Sequence, residues 1–336
     1  MVYVRGHACD FDEWEERGAS AGAIGIAFRI SERLRTGSVA KTSTGEVMVC
    51  YPGGIGNGMQ GNPLYQAFIS AGEQAGYPRT DDYNGYQQEG FGGYHMTVGG
   101  GVRASSAQAY LRPILGRSNL RVVTQSQVHR IVLEGRRAVA VVYEFDGHEF
   151  QLGAQAEFIV VPGHWLASDI AEIWDWPRAH LSNMGIGLCI LWKVGGRISR
   201  ITWRFTCSIA VGNRSPEREI RILAAVFDWT SLVVIQRGLG ATNHFEAGGF
   251  IRSKGGIRWP DIQFHFLPGA MRYDGAGGHG HGFQVHVGLN KVESRGRVQI
   301  RSSNPRDLPS IQFNYLQHHH DQSVFRRAVP GLLERF

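Results

Sequence analysis

The sequence predicts an α/β protein in two parts, and three changes of hydrophobic period carry that prediction. A helix-period stretch follows Asn62, the period drops to two at Asn119, and clean strand alternation runs from Gly238 onward. Together they point to a helix-bearing part with a β meander, followed by a part built on an antiparallel sheet. At 336 residues the chain is long enough for two domains with real cores.

In order along the chain, the first expected element is a short helix over 10–17, with Asp10 and Asp12 suited to its positive N-terminal end. Residues 19–55 carry no clear period. The run NPLYQAFISAGEQAGY sets Pro63 at a first helical position and Leu64, Phe68 and Ala71 on one face. The following TDDYNGYQQEGFGGYHMTVGGG reads as a turn-rich loop, and SSAQAYLRPIL as a second helix capped by Ser105 or Ser106 and stopped near Pro113. Four strands are then expected, over 120–124, 128–134, 138–145 and 149–161, with Glu134-Gly135 and Asp146-Gly147 at the turns and FIVV as a buried final run. Residues 161–237 hold six of the eight tryptophans, and arginines interrupt strand alternation there, so no stable fold is assigned to them. After Gly238, PDIQFHFLP, GFQVHVGLN, GRVQIRSS and SIQFNYL alternate and are expected to form one antiparallel sheet.

Composition removes several function classes. With 43% hydrophobic and 19% charged residues the chain is not expected to be disordered. No apolar run approaches the roughly 20 residues of a spanning helix, and the first residues lack the basic and apolar regions of a signal peptide. A cytoplasmic location is expected, with membrane association left open. The net charge of +6 is concentrated in 19–55 and 161–237, which argues against a nucleic-acid partner. Four cysteines without a CxxC pair argue against a zinc ribbon and a disulfide framework. Glycine, at 45 residues, is nearly twice its usual share of roughly 7%. Without a repeat it signals tight turns or close backbone approach to a large group.

Six separated stretches, MVYVRGHACDFDEW, NPLYQAFISAGEQAGYPRTDDYNGYQQEGFG, RASSAQAYLRP, RGLGATNHFEAGGFIRS, WPDIQFHFLP and SRGRVQIRSSNPRDLPSIQFNYL, resemble the choline dehydrogenases, a branch of the glucose-methanol-choline (GMC) flavoprotein oxidoreductases, in the family's order. The resemblance implies the remnant of an FAD-binding Rossmann-type domain with its β meander over 1–187, of which 19–55 and 161–179 do not match. It implies part of a substrate domain with an antiparallel sheet over 188–336, of which 188–237 does not match. The implied activity is FAD-dependent oxidation of choline to betaine aldehyde, which needs bound flavin, a grip on a quaternary ammonium, and a base.

Each requirement maps unevenly. No strand, GxGxxG turn and helix stand in succession, and GGIGNG at 53–58 follows no hydrophobic strand. Met1 matches a position inside the family, past the dinucleotide unit. The cofactor contacts the resemblance implies are Met1, Val2 and Val4 near the isoalloxazine, and the Val128 backbone at the adenine; for Val128, buried strand packing stays open as the alternative. Glu246 in NHFEAGGF matches the carboxylate facing the trimethylammonium group. Phe245 and Phe250 are either apolar walls of that site or core. No catalytic residue is assigned, because the family's C-terminal His motif has no match. His318, His319 and His320 read as a solvated helix start. His279, His281 and His286 lack a spaced carboxylate or cysteine and are not read as a metal site.

The non-matching stretches resume the family pattern at the expected separation. Compensating frameshifts would produce that arrangement, together with the local excess of Trp and Arg. Two readings therefore stand: a choline dehydrogenase-like flavoprotein that is inactive as this chain, or a non-catalytic product of a frameshifted gene that binds no FAD.

Overall fold

A computed structural model describes residues 2–16, 40–42, 45–47, 56–57, 62–85, 87–99, 101–135, 137–159, 161, 204–211, 241–269, 281–299, 301–304 and 306–333. In chain order the elements are β1 (Val2–Tyr3), α1 (Ala8–Glu16), β2 (Ala40–Thr42), β3 (Gly45–Val47), β4 (Gly56–Asn57), α2 (Pro63–Gln74), β5 (Gly90–Gly93), β6 (His95–Met96), β7 (Val98–Gly99) and β8 (Val102–Arg103). There follow β9 (Ser126–Glu134), β10 (Arg137–Phe145), β11 (His148–Gly153), β12 (Arg204–Val211), β13 (Ala247–Ile251), β14 (Ile262–Leu267), β15 (His281–Leu289), β16 (Arg297–Gln299), β17 (Ser310–Gln312) and α3 (His319–Leu333).

By contact the chain divides into two compact units that interleave along the sequence. One comprises Met1–Leu120, Trp203–Lys291 and Ser323–Phe336; the other comprises Arg121–Thr202 and Val292–Gln322. The boundary expected at 187 and 188 lies outside the described residues.

The first unit is built on a five-stranded antiparallel sheet ordered β12-β15-β14-β13-β5. Residues alternate between its two faces. The register puts Ile262, Phe264 and Phe266 of β14 on one face with Val285, Val287 and Leu289 of β15, all buried. This apolar face receives α2, whose Phe68 stacks on Phe266 at 4.8 Å and meets Phe91 edge-on at 5.5 Å. Asn62 caps α2 through its side-chain oxygen, which accepts from the Leu64 amide at 3.0 Å, and Pro63 occupies the first turn.

The buried stripe of α2 is Tyr65, Phe68, Ile69 and Gly72; Leu64, expected inside, is 38% exposed. The helix is rotated because the Phe91 ring fills the space a side chain at Gly72 would need, 2.3 Å from a Cβ built there. The expected loop after α2 also needs correction. It contains β5, an edge strand of the sheet, whose sequence GFGG hid the strand signal. Gly92 is required there, since a Cβ would meet the Thr80 carbonyl oxygen at 2.0 Å. Strand β12 likewise forms within a stretch to which alternation assigned no fold, and it pairs with β15 from Arg204 to Val211.

The expected first helix is present as α1, tied down by Lys291, whose Nζ lies 2.5 Å from Asp10 and 2.6 Å from Glu13 and 4.5 Å above the Trp259 ring. The helix expected at SSAQAYLRPIL reduces to one wide π-type turn, Ala107–Leu111, and a 3-10 turn, Arg112–Ile114. Ser105 does cap it, accepting from the Gln108 amide at 3.2 Å.

In the second unit β9, β10 and β11 form the meander, with β10 central. The turn at Asp146-Gly147 has both residues at positive φ, 51° and 74°, the geometry that favours this pair in a tight hairpin. Three strands form rather than four: 120–124 is irregular, with Val122 and Val123 exposed, and Gln125 turns the chain at a φ of 57°. The final run is not buried either, since Ile159 is 78% and Val161 85% exposed and the last meander strand ends at Gly153. Strands β16 and β17 pair with each other in this unit and do not join the five-stranded sheet, so the four alternating segments do not make one sheet. Among the described residues no helix is long and apolar enough to cross a membrane.

Candidate substrate site

Opposite its apolar face the five-stranded sheet carries polar side chains. Gln263 and His265 on β14 share a phase with Gln284 and His286 on β15, and His265 stands directly across from His286. Both imidazoles are buried, at 3% and 6% exposure. Phe245 meets them edge-on, at 6.0 Å from His265 and 5.4 Å from His286, and Tyr94 lies over His265 at 5.3 Å. Tyr94 is fixed in turn: its hydroxyl donates to the Phe264 carbonyl at 2.7 Å. Beside it, Tyr83 donates to the Gly248 carbonyl at 2.6 Å.

The loop that enters β13 is held along its whole length. The His244 amide donates to Thr242 Oγ1 at 3.2 Å and the Phe245 amide to Asn243 Oδ1 at 3.0 Å. The Tyr65 hydroxyl donates to the His244 carbonyl at 2.9 Å, and the Tyr94 amide to the Glu246 carbonyl at 2.8 Å. His244 adopts a φ of 61°, a left-handed conformation that a non-glycine residue takes only when its surroundings hold it. At the end of this loop Glu246 is buried, 1% exposed. Burial, and then the charge of Glu246, push the Tyr65 phenol well above its ordinary range, so Tyr65 stays a donor at any physiological pH.

The other expected site residues fall as follows. Val2 and Val4 turn their side chains into a cluster of Tyr83, Tyr94 and Phe250, and the β1 backbone pairs with β6. Met1 lies outside the described residues. Phe250 is core, 5.1 Å from Tyr83, whereas Phe245 lines the histidine pair. Val128, in the second unit, is 39% exposed on the edge strand β9, which removes the buried-packing reading for it. His318, His319 and His320 are exposed at the start of α3. His279 lies outside the described residues. Sequence reasoning passed over His265 as a site residue. The available signal was phase, since IQFHFL and GFQVHV each place Gln and His two apart among apolar residues.

The sequence model of the GMC oxidoreductases matches residues 1–169. The chain belongs to the GMC oxidoreductase family. It is 44% identical to the oxygen-dependent choline dehydrogenase of Vibrio vulnificus, over 98% of this chain and 59% of that protein. It is 42% identical to the enzyme of the same name from Photobacterium profundum, over 98% of this chain and 58% of that one. The chain thus spans about three fifths of the length of these curated relatives. Among solved structures, pyridoxine 4-oxidase from Mesorbium loti matches all of this chain and 63% of its own, with a TM-score of 0.74 at 21% identity. An FAD-dependent oxidoreductase from Chaetomium thermophilum matches all of this chain and 67% of its own, at 0.76 and 16%. These likenesses show the fold, an α/β GMC architecture.

GMC oxidoreductases are FAD-dependent flavoproteins. The described residues fit that cofactor only in part. A helix N-terminus is a ready site for pyrophosphate, and in each of the three helices among the described residues a side chain already takes one of the first amides. The Cys9 amide donates to His7 Nδ1 at 3.2 Å at the start of α1, Asn62 caps α2, and the His320 amide donates to His318 Nδ1 at 3.2 Å at the start of α3. The glycines of β5 and β13 face the chain's own Thr80, Tyr94 and Phe91, so they serve internal packing.

Proposed function

We propose that this chain carries a choline-recognition site of the choline dehydrogenase type, in which Glu246 meets the trimethylammonium group and Phe245 supplies an aromatic wall. The observation that carries the reading is the burial of Glu246 at the end of a loop fixed by four hydrogen bonds. Out of water a carboxylate attracts a nearby cation more strongly than it does in bulk solvent. A quaternary ammonium offers no hydrogen bond, so it is held by opposite charge and by aromatic faces. The names of relatives at 42–44% identity support the same substrate class.

The proposed cofactor contacts are Met1, Val2 and Val4 at the isoalloxazine and the Val128 backbone at the adenine, and the proposed substrate contact is Glu246. Because no base is assigned among its residues and each described helix start is already capped, the chain alone is proposed to bind choline without oxidising it, and added FAD should produce no choline-dependent dye reduction.

The test is calorimetric titration of the full chain and its Glu246→Gln variant with choline and with 3,3-dimethylbutan-1-ol, a neutral isostere. Opposite charges at about 4 Å attract by roughly 4 kcal/mol near a protein surface, and part of that is returned on desolvation. Choline affinity should therefore fall at least about tenfold, which corresponds to about 1.4 kcal/mol, while the neutral alcohol changes less than about twofold. Equal losses for both ligands would make Glu246 a structural residue.

A further inference from the structure

We infer that Tyr65 is a positioning residue for substrate, acting from α2 through the His244 carbonyl to hold the Glu246 carboxylate where a cation meets it. The inference rests on the reading that Glu246 contacts the cation. Tyr65 lies in the first turn of α2, whose start is fixed by the Asn62 cap and Pro63. Its ring packs edge-on against Phe266 at 5.9 Å, which leaves only the hydroxyl to reach the loop. That hydroxyl donates to His244 at 2.9 Å, across 179 residues of sequence. His244 is the loop residue in the left-handed conformation, so its carbonyl direction is the one most dependent on an outside partner. Two residues on stands Glu246, near enough for its charge to act on the phenol. A permanently protonated phenol cannot serve as a base; it can serve as a fixed anchor.

Tyr65→Phe keeps the ring packing and removes only the anchor. One hydrogen bond is lost, so choline affinity should fall about two- to twelvefold with the neutral alcohol unchanged. In a Glu246→Gln background the same substitution should cost choline nothing further, because the anchor acts through the carboxylate. An independent readout uses tyrosine labelled with carbon-13 at Cζ, the Tyr65 signal being the one missing from Tyr65→Phe. That signal should move in Glu246→Gln and on saturation with choline. Equal losses for choline and the neutral alcohol in Tyr65→Phe, or the same choline loss in both backgrounds, would overturn the positioning role. If Glu246→Gln affects the two ligands alike, the cation reading has failed on its own account. The label then decides Tyr65: a signal unmoved by Glu246→Gln overturns the coupling, and a shifted one upholds it.

Discussion

Replacing Gly248 by alanine should destabilise the sheet that carries the proposed substrate site by about 2 to 4 kcal/mol, and the magnitude follows from what surrounds it. A Cβ at Gly248 would lie 2.1 Å from the Tyr94 ring and 2.4 Å from the Phe264 carbonyl oxygen. Neither neighbour can yield cheaply. Phe264 is in the middle of β14, and Tyr94 is 1% exposed, packed on Tyr83 at 4.8 Å and on His265 at 5.3 Å. Overfilling a packed core costs about 1 to 3 kcal/mol. Moving Tyr94 also breaks its hydrogen bond to that same Phe264 oxygen, at about 0.5 to 1.5 kcal/mol. The control is Gly255→Ala, where nothing lies within 4 Å of the added methyl, so its effect should stay within about 0.5 kcal/mol. Urea unfolding followed by circular dichroism reports the difference, and amide exchange across β13 and β14 locates it. A Gly248→Ala variant as stable as Gly255→Ala would refute the packing account of this glycine.

Other outcomes are expected from the same structure. Lys291→Met leaves Asp10 and Glu13 facing each other in a largely buried place, and should cost about 2 to 4 kcal/mol and open α1 to proteolysis first. Burial is the main cause holding the His7 imidazole below its ordinary range, so the unfolded chain binds more protons than the folded one below about pH 6.5. Stability should therefore drop as pH falls from 7 toward 5, and His7→Gln should flatten that part of the unfolding-midpoint profile. At Asp321 burial acts to raise the carboxyl, but the amides of Glu293 and Ser294 outweigh it and hold it below its ordinary value. Asp321→Asn should thus destabilise the chain at neutral pH, with the deficit closing as pH falls through the carboxylate range.

What the sequence made legible was local. Pro63 after Asn62 marked the start of α2 to the residue, Asp146-Gly147 marked a hairpin, and alternation found β14 and β15. What it hid depends on partners distant along the chain. Strand β5 reads as a glycine-rich turn because its side chains are replaced by close contacts with Pro78 and Thr80. The inward stripe of α2 passes from Leu64 to Tyr65 because Phe91 and Phe266 decide which side of the helix is covered. The facing of His265 and His286 exists only in the β14–β15 register. Glu246 was marked by its resemblance to a family motif, yet its burial and the Tyr65 anchor needed the packing of α2 against the sheet.

The proposal that a quaternary ammonium binds at Glu246 can be seen or missed in crystals of the full chain equilibrated with saturating choline. Density for the trimethylammonium group should appear with its nitrogen within about 6 Å of the Glu246 carboxylate and its methyl groups against the Phe245 ring. At a choline concentration near the Kd of the unmodified chain, that density should fall in Glu246→Gln crystals from about half occupancy to about a tenth or less. Choline bound elsewhere on the chain, or a Glu246 side chain with no cation beside it at saturation, would rule out Glu246 as the cation site.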